Sequence, residues 1–187
     1  MDKKIIDEAK KLAVAEIDKY GSPHLVLFNY SVDKAIELAE KFGADKDISH
    51  LGAILADFKL GEAKELNKIE QHVKISSEAS KKLLDNYDLD DVSKSKIINC
   101  VEAHHGKTPF LCKEAEIVCN ADCYRFIHPK CFFEFILAKD VSNDYLEILK
   151  FAESKLEEKH NLLTLDICKQ ELEPYYQMFK KLITDAK

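Results

Sequence analysis

Residues 51–58 read Leu51-Gly-Ala-Ile-Leu-Ala-Asp-Phe58, a stretch in which Asp57 is the only polar side chain. A helix through it has no face left for water, which places it near the middle of a helical bundle. Asp57 then sits at the edge of a core, where a carboxylate needs a cation or several donors opposite it. A metal ion meets that need. So does a salt bridge to a lysine such as Lys59 or Lys64, or a position against the N-terminus of a neighbouring helix.

The rest of the chain supports an all-helical reading. Its 187 residues include only five glycines and four prolines, and Lys, Glu, Leu, Ala and Ile dominate, a composition of helices within one domain, residues 1–187. Apolar residues at helical spacing predict a helix over 3–19, a second that Pro23 opens and Gly43 ends in a left-handed turn, and a third capped by Asp47 and running to about 60. Further helices are expected over 69–87, with Val73, Ile75, Ala79, Leu83 and Leu84 inward, from Val92 or Ser93 to His104-His-Gly106, and from Cys112 toward His128, where Pro129 interrupts. Phe132, Phe133, Phe135, Ile136 and Leu137 make a short aromatic-rich helix. Two long helices follow at about 142–159 and 164–185, a pair that either covers the bundle or supplies a dimer surface.

The formal net charge of −6 is spread without a basic block, so nucleic acid and anionic lipid are not expected partners. No apolar stretch approaches the roughly 20 residues that span a bilayer. The start Met1-Asp-Lys-Lys-Ile-Ile6 lacks the apolar core of a signal peptide, and a cytoplasmic location is expected. The six cysteines, at 100, 112, 119, 123, 131 and 168, form no CxxC pair, and they read as buried free thiols in preference to a thiolate cluster around Cys112, Cys119 and Cys123.

Chemistry-bearing side chains gather at helix ends. Cys100-Val-Glu-Ala-His-His-Gly106 ends a helix on adjacent histidines, Asn120-Ala-Asp-Cys123 sets Asp122 after an apolar segment, and His72 marks the border of a polar and an apolar face. Imidazole and carboxylate converging from separate helices is how bundles build metal sites. Asp57 paired with His72 or His104 across the bundle is the metal-free alternative. Arg125, the sole arginine among 28 basic side chains, stands one turn after Asp122, where its planar fork suits a phosphate or a salt bridge. Lys59 and Lys107 are further phosphate-binding candidates.

Taken in order, Gly43-Ala-Asp-Lys-Asp-Ile-Ser-His-Leu-Gly-Ala-Ile-Leu-Ala-Asp-Phe58, His72, Ile98-x-x-Val-x-x-His-His105 and Glu116-Ile-Val-x-x-Ala-Asp122 resemble the HD domain superfamily of metal-dependent phosphohydrolases, over roughly residues 22–128. The resemblance implies an HD-like orthogonal bundle with residues 142–187 as a C-terminal extension. It places the aspartate of the His-Asp pair at Asp57, two further metal-binding histidines at His72 and His104, and the distal aspartate at Asp122. The histidine of the pair falls on Ala56 and the first family histidine on Leu27 or Phe28, so two signature ligands are replaced, with His24, His105 and Cys123 as possible substitutes. The function implied is hydrolysis of a phosphate ester or nucleotide-like metabolite by a divalent ion (Mn, Mg, Fe or Zn) on Asp57, His72, His104 and Asp122, with Asp57, His105 and Arg125 as catalytic residues and His105 relaying a proton. The alternative is an inactive HD-like module without metal that binds a small ligand or a protein partner.

Overall fold

The computed structural model describes residues 3–137 and 144–187. Among these the chain forms ten α-helices: α1 Lys3–Tyr20, α2 Leu25–Phe42, α3 Lys46–Ala56, α4 Leu60–Glu65, α5 His72–Leu84, α6 Asp91–Ala103, α7 Lys113–Ile127, α8 Pro129–Leu137, α9 Tyr145–Asn161 and α10 Asp166–Asp185. A 3-10 turn, Ile69–Gln71, precedes α5. The arrangement is an orthogonal bundle without strands among the described residues, with α9 and α10 added at the C-terminus. No described helix is long and apolar enough to cross a membrane.

Helix α7 runs through the middle and packs against α2, α3, α6, α8, α9 and α10. Its sequence Ile117-Val-Cys-Asn-Ala-Asp-Cys-Tyr-Arg125 is buried along its whole length, which is why no single stripe dominates it. Leu51, Ile54 and Leu55 of α3, Ile97 of α6, and Ile117, Tyr124 and Ile127 of α7 are fully enclosed. Gly52 sets the approach of α3 to α6, since a Cβ there would stand 2.5 Å from Cys100 Cβ.

Several boundaries differ from expectation, each for a local reason. Asp45, not Asp47, caps α3, accepting from the backbone N–H groups of Asp47 and Ile48 at 2.9 and 3.0 Å. Helix α3 stops at Ala56, so Asp57 lies at the helix end and its side chain is released from the α3 face. Helix α5 turns Ser76, Ser77 and Ser80 inward beside Leu83 and Leu84, leaving Val73, Ile75 and Ala79 only partly covered. The hydroxyls find partners there: Ser76 Oγ accepts from Lys59 N–H at 3.0 Å and Ser80 Oγ donates to the Ser76 carbonyl at 2.7 Å. Gly43 ends α2 with φ 61°, as its position predicts. Residues 142 and 143, expected to begin the first C-terminal helix, lie outside the described residues.

A buried side chain of α7 fastens the turn of the C-terminal pair. Asn120 Oδ1 accepts from Thr164 N–H and Leu165 N–H at 3.0 and 3.1 Å, while its amide donates to Thr164 Oγ1 at 2.7 Å and to the Glu116 carbonyl at 2.8 Å. The turn between α9 and α10 is therefore held on the central helix, and the pair covers the bundle. The tight α3–α6 contact predicts that Gly52→Ala lowers stability by about 1–3 kcal/mol through overpacking against Cys100, measurable as a fall in the urea midpoint.

Candidate metal centre

Asp57, His72, His104 and His105 each offer one ligand atom, and these four atoms lie within 4.8 Å of one another. They come from the end of α3, the start of α5 and the end of α6, where the backbone leaves the helix and the side chains can turn toward a common point.

Two of the imidazoles have their tautomers set by backbone carbonyls. His72 Nδ1 is 2.6 Å from the Ile69 carbonyl and His104 Nδ1 is 2.7 Å from that of Val101. A carbonyl only accepts, so both Nδ1 atoms carry hydrogen and both neutral rings aim an Nε2 lone pair inward. Asp57 Oδ1 stands 3.6 Å from His72 Nε2 and 3.4 Å from His104 Nε2. Asp57 Oδ1 and His104 Nε2 are buried without a hydrogen-bond partner. Their separations match the edge of roughly 3.3 Å expected between ligands about 2.0–2.1 Å from a tetrahedral ion. An ion or a proton between them satisfies both atoms.

Behind this cluster runs a chain of buried ion pairs. Arg125 Nη1 donates to Asp57 Oδ2 at 2.6 Å and to Asp122 Oδ1 at 2.7 Å. Lys159 Nζ, on α9 and with no exposed surface, donates to Asp122 Oδ2 at 2.7 Å and lies 3.0 Å from His105 Nδ1. His105 Nε2 in turn is 3.0 Å from His72 Nε2.

The electrostatics follow from these contacts. Burial pushes the Asp57 carboxyl up, but Arg125, His104 and His72 outweigh it and hold the group well below the usual carboxylate range. Asp122 is likewise depressed, with Lys159 and Arg125 overcoming burial and the repulsion of Asp57. Burial lowers His104, and the neighbouring Asp57 more than reverses this, so it titrates above the ordinary histidine value. His105 is pushed down to about 2 by burial, His104 and Lys159, and stays neutral. Lys159 remains charged because Asp122 outweighs its burial.

The residues expected from sequence are thus brought together unequally. Asp57, His72 and His104 converge, and His105 joins them. Asp122 lies outside the four-atom cluster with both carboxylate oxygens held by cations. The partner of Asp57 is Arg125 instead of Lys59 or Lys64, and Lys59 is engaged with Glu16 and Glu62 at 2.8 and 3.0 Å. Arg125 is only 5% exposed, and Lys107 is exposed on the loop beyond Gly106. Ala56 and Leu27 are buried apolar residues, and His24 is paired with Glu134 at 3.0 Å. All six cysteines are free thiols, and among the described residues none joins a metal-ligand cluster.

Lys159 was not singled out by the sequence reading. Its signal lay in the spacing: Leu149, Ala152, Leu156 and Lys159 form one buried stripe of α9, and a lysine in that register must meet a buried anion.

Neither a protein-family model nor a curated protein matches the sequence. The fold has a counterpart among solved structures: a predicted HD superfamily hydrolase from an uncultured Thermotogales bacterium superposes with a TM-score of 0.61 over 81% of this chain and 84% of that one, at 16% identity. The chain therefore shares the fold of that hydrolase.

Arg125→Met strands two buried carboxylates, and a loss of about 3–5 kcal/mol in urea unfolding is expected. A second expectation concerns acid. Unfolded His105 takes up a proton below its ordinary value of 6.5, whereas folded His105 resists until about 2. In metal-free protein its contribution to stability is therefore complete above 6.5 and is lost progressively as pH falls toward 2, with His104 acting in the opposite sense. His105→Gln should flatten the decline of the urea midpoint between about pH 7 and pH 5 relative to wild type.

Proposed function

We propose that the protein is a metal-dependent phosphohydrolase of HD type acting on a phosphate ester or nucleotide-like metabolite. The observation that supports this most is the pair of buried, unpartnered acceptors Asp57 Oδ1 and His104 Nε2, facing each other beside the Nε2 of His72. An ion held there by Asp57, His72 and His104 would supply Lewis-acid polarisation of a phosphoryl oxygen and a bound water of lowered pKa. The donor set, rich in imidazole with one carboxylate oxygen, suits zinc or iron better than magnesium.

The chain's own residues then have distinct tasks. Arg125 takes Asp57 Oδ2 and leaves Oδ1 as the ligand atom. His105, held neutral far below physiological pH, is a better hydrogen-bond donor to an anionic oxygen than a proton relay. Asp122 pairs with Arg125 and Lys159 in this reading, and the Asp122→Asn variant tests its place among the ligands. Burial of His104, Asp122, Arg125 and Lys159 excludes water and strengthens each of these interactions.

The second reading, an inactive HD-like module that binds a small ligand or partner, is favoured by a specific observation. The charges of Asp57 and Asp122 are already balanced by Arg125 and Lys159, so the network is neutral without an ion. Elemental analysis of protein purified without chelator or metal-affinity resin separates the two. The hydrolase reading expects about one ion per chain, largely lost in Asp57→Ala and His104→Ala, and metal-dependent release of phosphate from a panel of phosphomonoesters and nucleotides. Retention of metal in Asp122→Asn would assign that residue to charge balance. Wild type that takes up no Zn, Fe, Mn or Mg after reconstitution overturns the hydrolase reading in favour of the module.

A further inference from the structure

We propose that Lys159 is a positioning residue of this centre: by occupying the Nδ1 lone pair of His105 it fixes His105 as the Nε2–H tautomer, so that Asp57, His72 and His104 alone serve as ligands and His105 remains a hydrogen-bond donor beside them. The inference rests on the metal reading for its last clause, but its first clause concerns the protein without metal.

An ammonium has only hydrogens to offer, and Lys159 Nζ stands 3.0 Å from His105 Nδ1. A hydrogen on Nδ1 would set two donors against each other at that distance. Nδ1 must therefore accept, and in a neutral ring the hydrogen resides on Nε2. That hydrogen has an acceptor ready: His72 Nε2, at 3.0 Å, is left with its lone pair because His72 Nδ1 donates to the Ile69 carbonyl. In the metal-free protein the relay is consistent from Asp122 through Lys159, His105 and His72 to the backbone; an ion on His72 Nε2 would take that lone pair and free the His105 N–H for another acceptor.

Lys159 has little freedom to abandon this role. It is fully buried, anchored to Asp122 Oδ2 at 2.7 Å, and lies 5.1 Å from the centre of the Phe126 ring. The turn that follows α9 is tied to Asn120, two residues before Asp122 on α7. The consequence for chemistry is selective. Of the four atoms that converge, His105 Nε2 is not a lone pair, so Asp57, His72 and His104 would hold an ion without it. His105 would keep an N–H donor beside them, suited to an anionic oxygen.

The tautomer is directly measurable in the full-length chain. In metal-free protein labelled with 15N, two-bond correlations between ring nitrogens and ring protons distinguish the tautomers, and His105→Gln identifies the His105 signals. The expected result is Nε2–H for His105 in wild type, conversion to Nδ1–H or an averaged mixture in Lys159→Met, and restoration of Nε2–H in Lys159→Arg, which keeps a charged donor. Nδ1–H in the wild type overturns the proposal without reference to any variant, as does an unchanged Nε2–H in Lys159→Met. Zinc titration of the same samples reports the second clause: ring-nitrogen shifts should mark His72 and His104 as ligands in wild type, with His105 joining them only in Lys159→Met. Direct ligation by His105 in the wild type overturns that clause. Wild type that binds no zinc while showing the expected tautomers removes the metal reading and leaves the Lys159–His105 arrangement standing.

Discussion

The fold and the site depend on a single buried chain of charges, Asp57 to Arg125 to Asp122 to Lys159. Each member alone would be costly in a core, and together they leave no net charge to solvate. They also tie three parts of the molecule to one another. Asp57 ends α3, Arg125 and Asp122 lie one turn apart on α7, and Lys159 belongs to the C-terminal pair. Tight packing around Gly52 brings α3 and α6 close enough for His104 to meet Asp57, and the serine face of α5 lets His72 enter from the third side.

The same network divides labour between the two oxygens of Asp57. One is saturated by Arg125, and the other is left facing two imidazoles without a partner. A protein that merely hid a carboxylate would satisfy both. Two buried atoms that face each other at 3.4 Å without a hydrogen bond leave room for a cation or a shared proton, and this distinguishes the corner from the closed polar pairs elsewhere, such as Asn120 on the Thr164 turn.

The helices were legible because their signals are local and repeated: apolar spacing in α1 and α2, Gly43 at a helix end, Pro129 interrupting the run of α7. The cap of α3 and the inward face of α5 were not, because there short polar side chains decide, and whether a serine faces in or out depends on what lies across from it. The convergence of Asp57, His72 and His104 could be anticipated from charged residues at helix ends together with a family resemblance. The partner of Asp57 could not, since Arg125 is 68 residues away and no local rule pairs them. Lys159 was hidden for the opposite reason: among so many solvated lysines, one in an apolar register attracts no notice unless the stripe is followed residue by residue.

The contact between Lys159 and Asp122 also bears on how such a chain can change over generations. A neutral residue at 159 strands half of a buried carboxylate, and a neutral residue at 122 strands a fully enclosed ammonium. Loss of charge at either position is felt at the other, although 37 residues separate them. The C-terminal helices and the bundle are therefore coupled through this one contact, and an exchange of those helices that removes the ammonium at 159 leaves half of the Asp122 carboxylate unpaired.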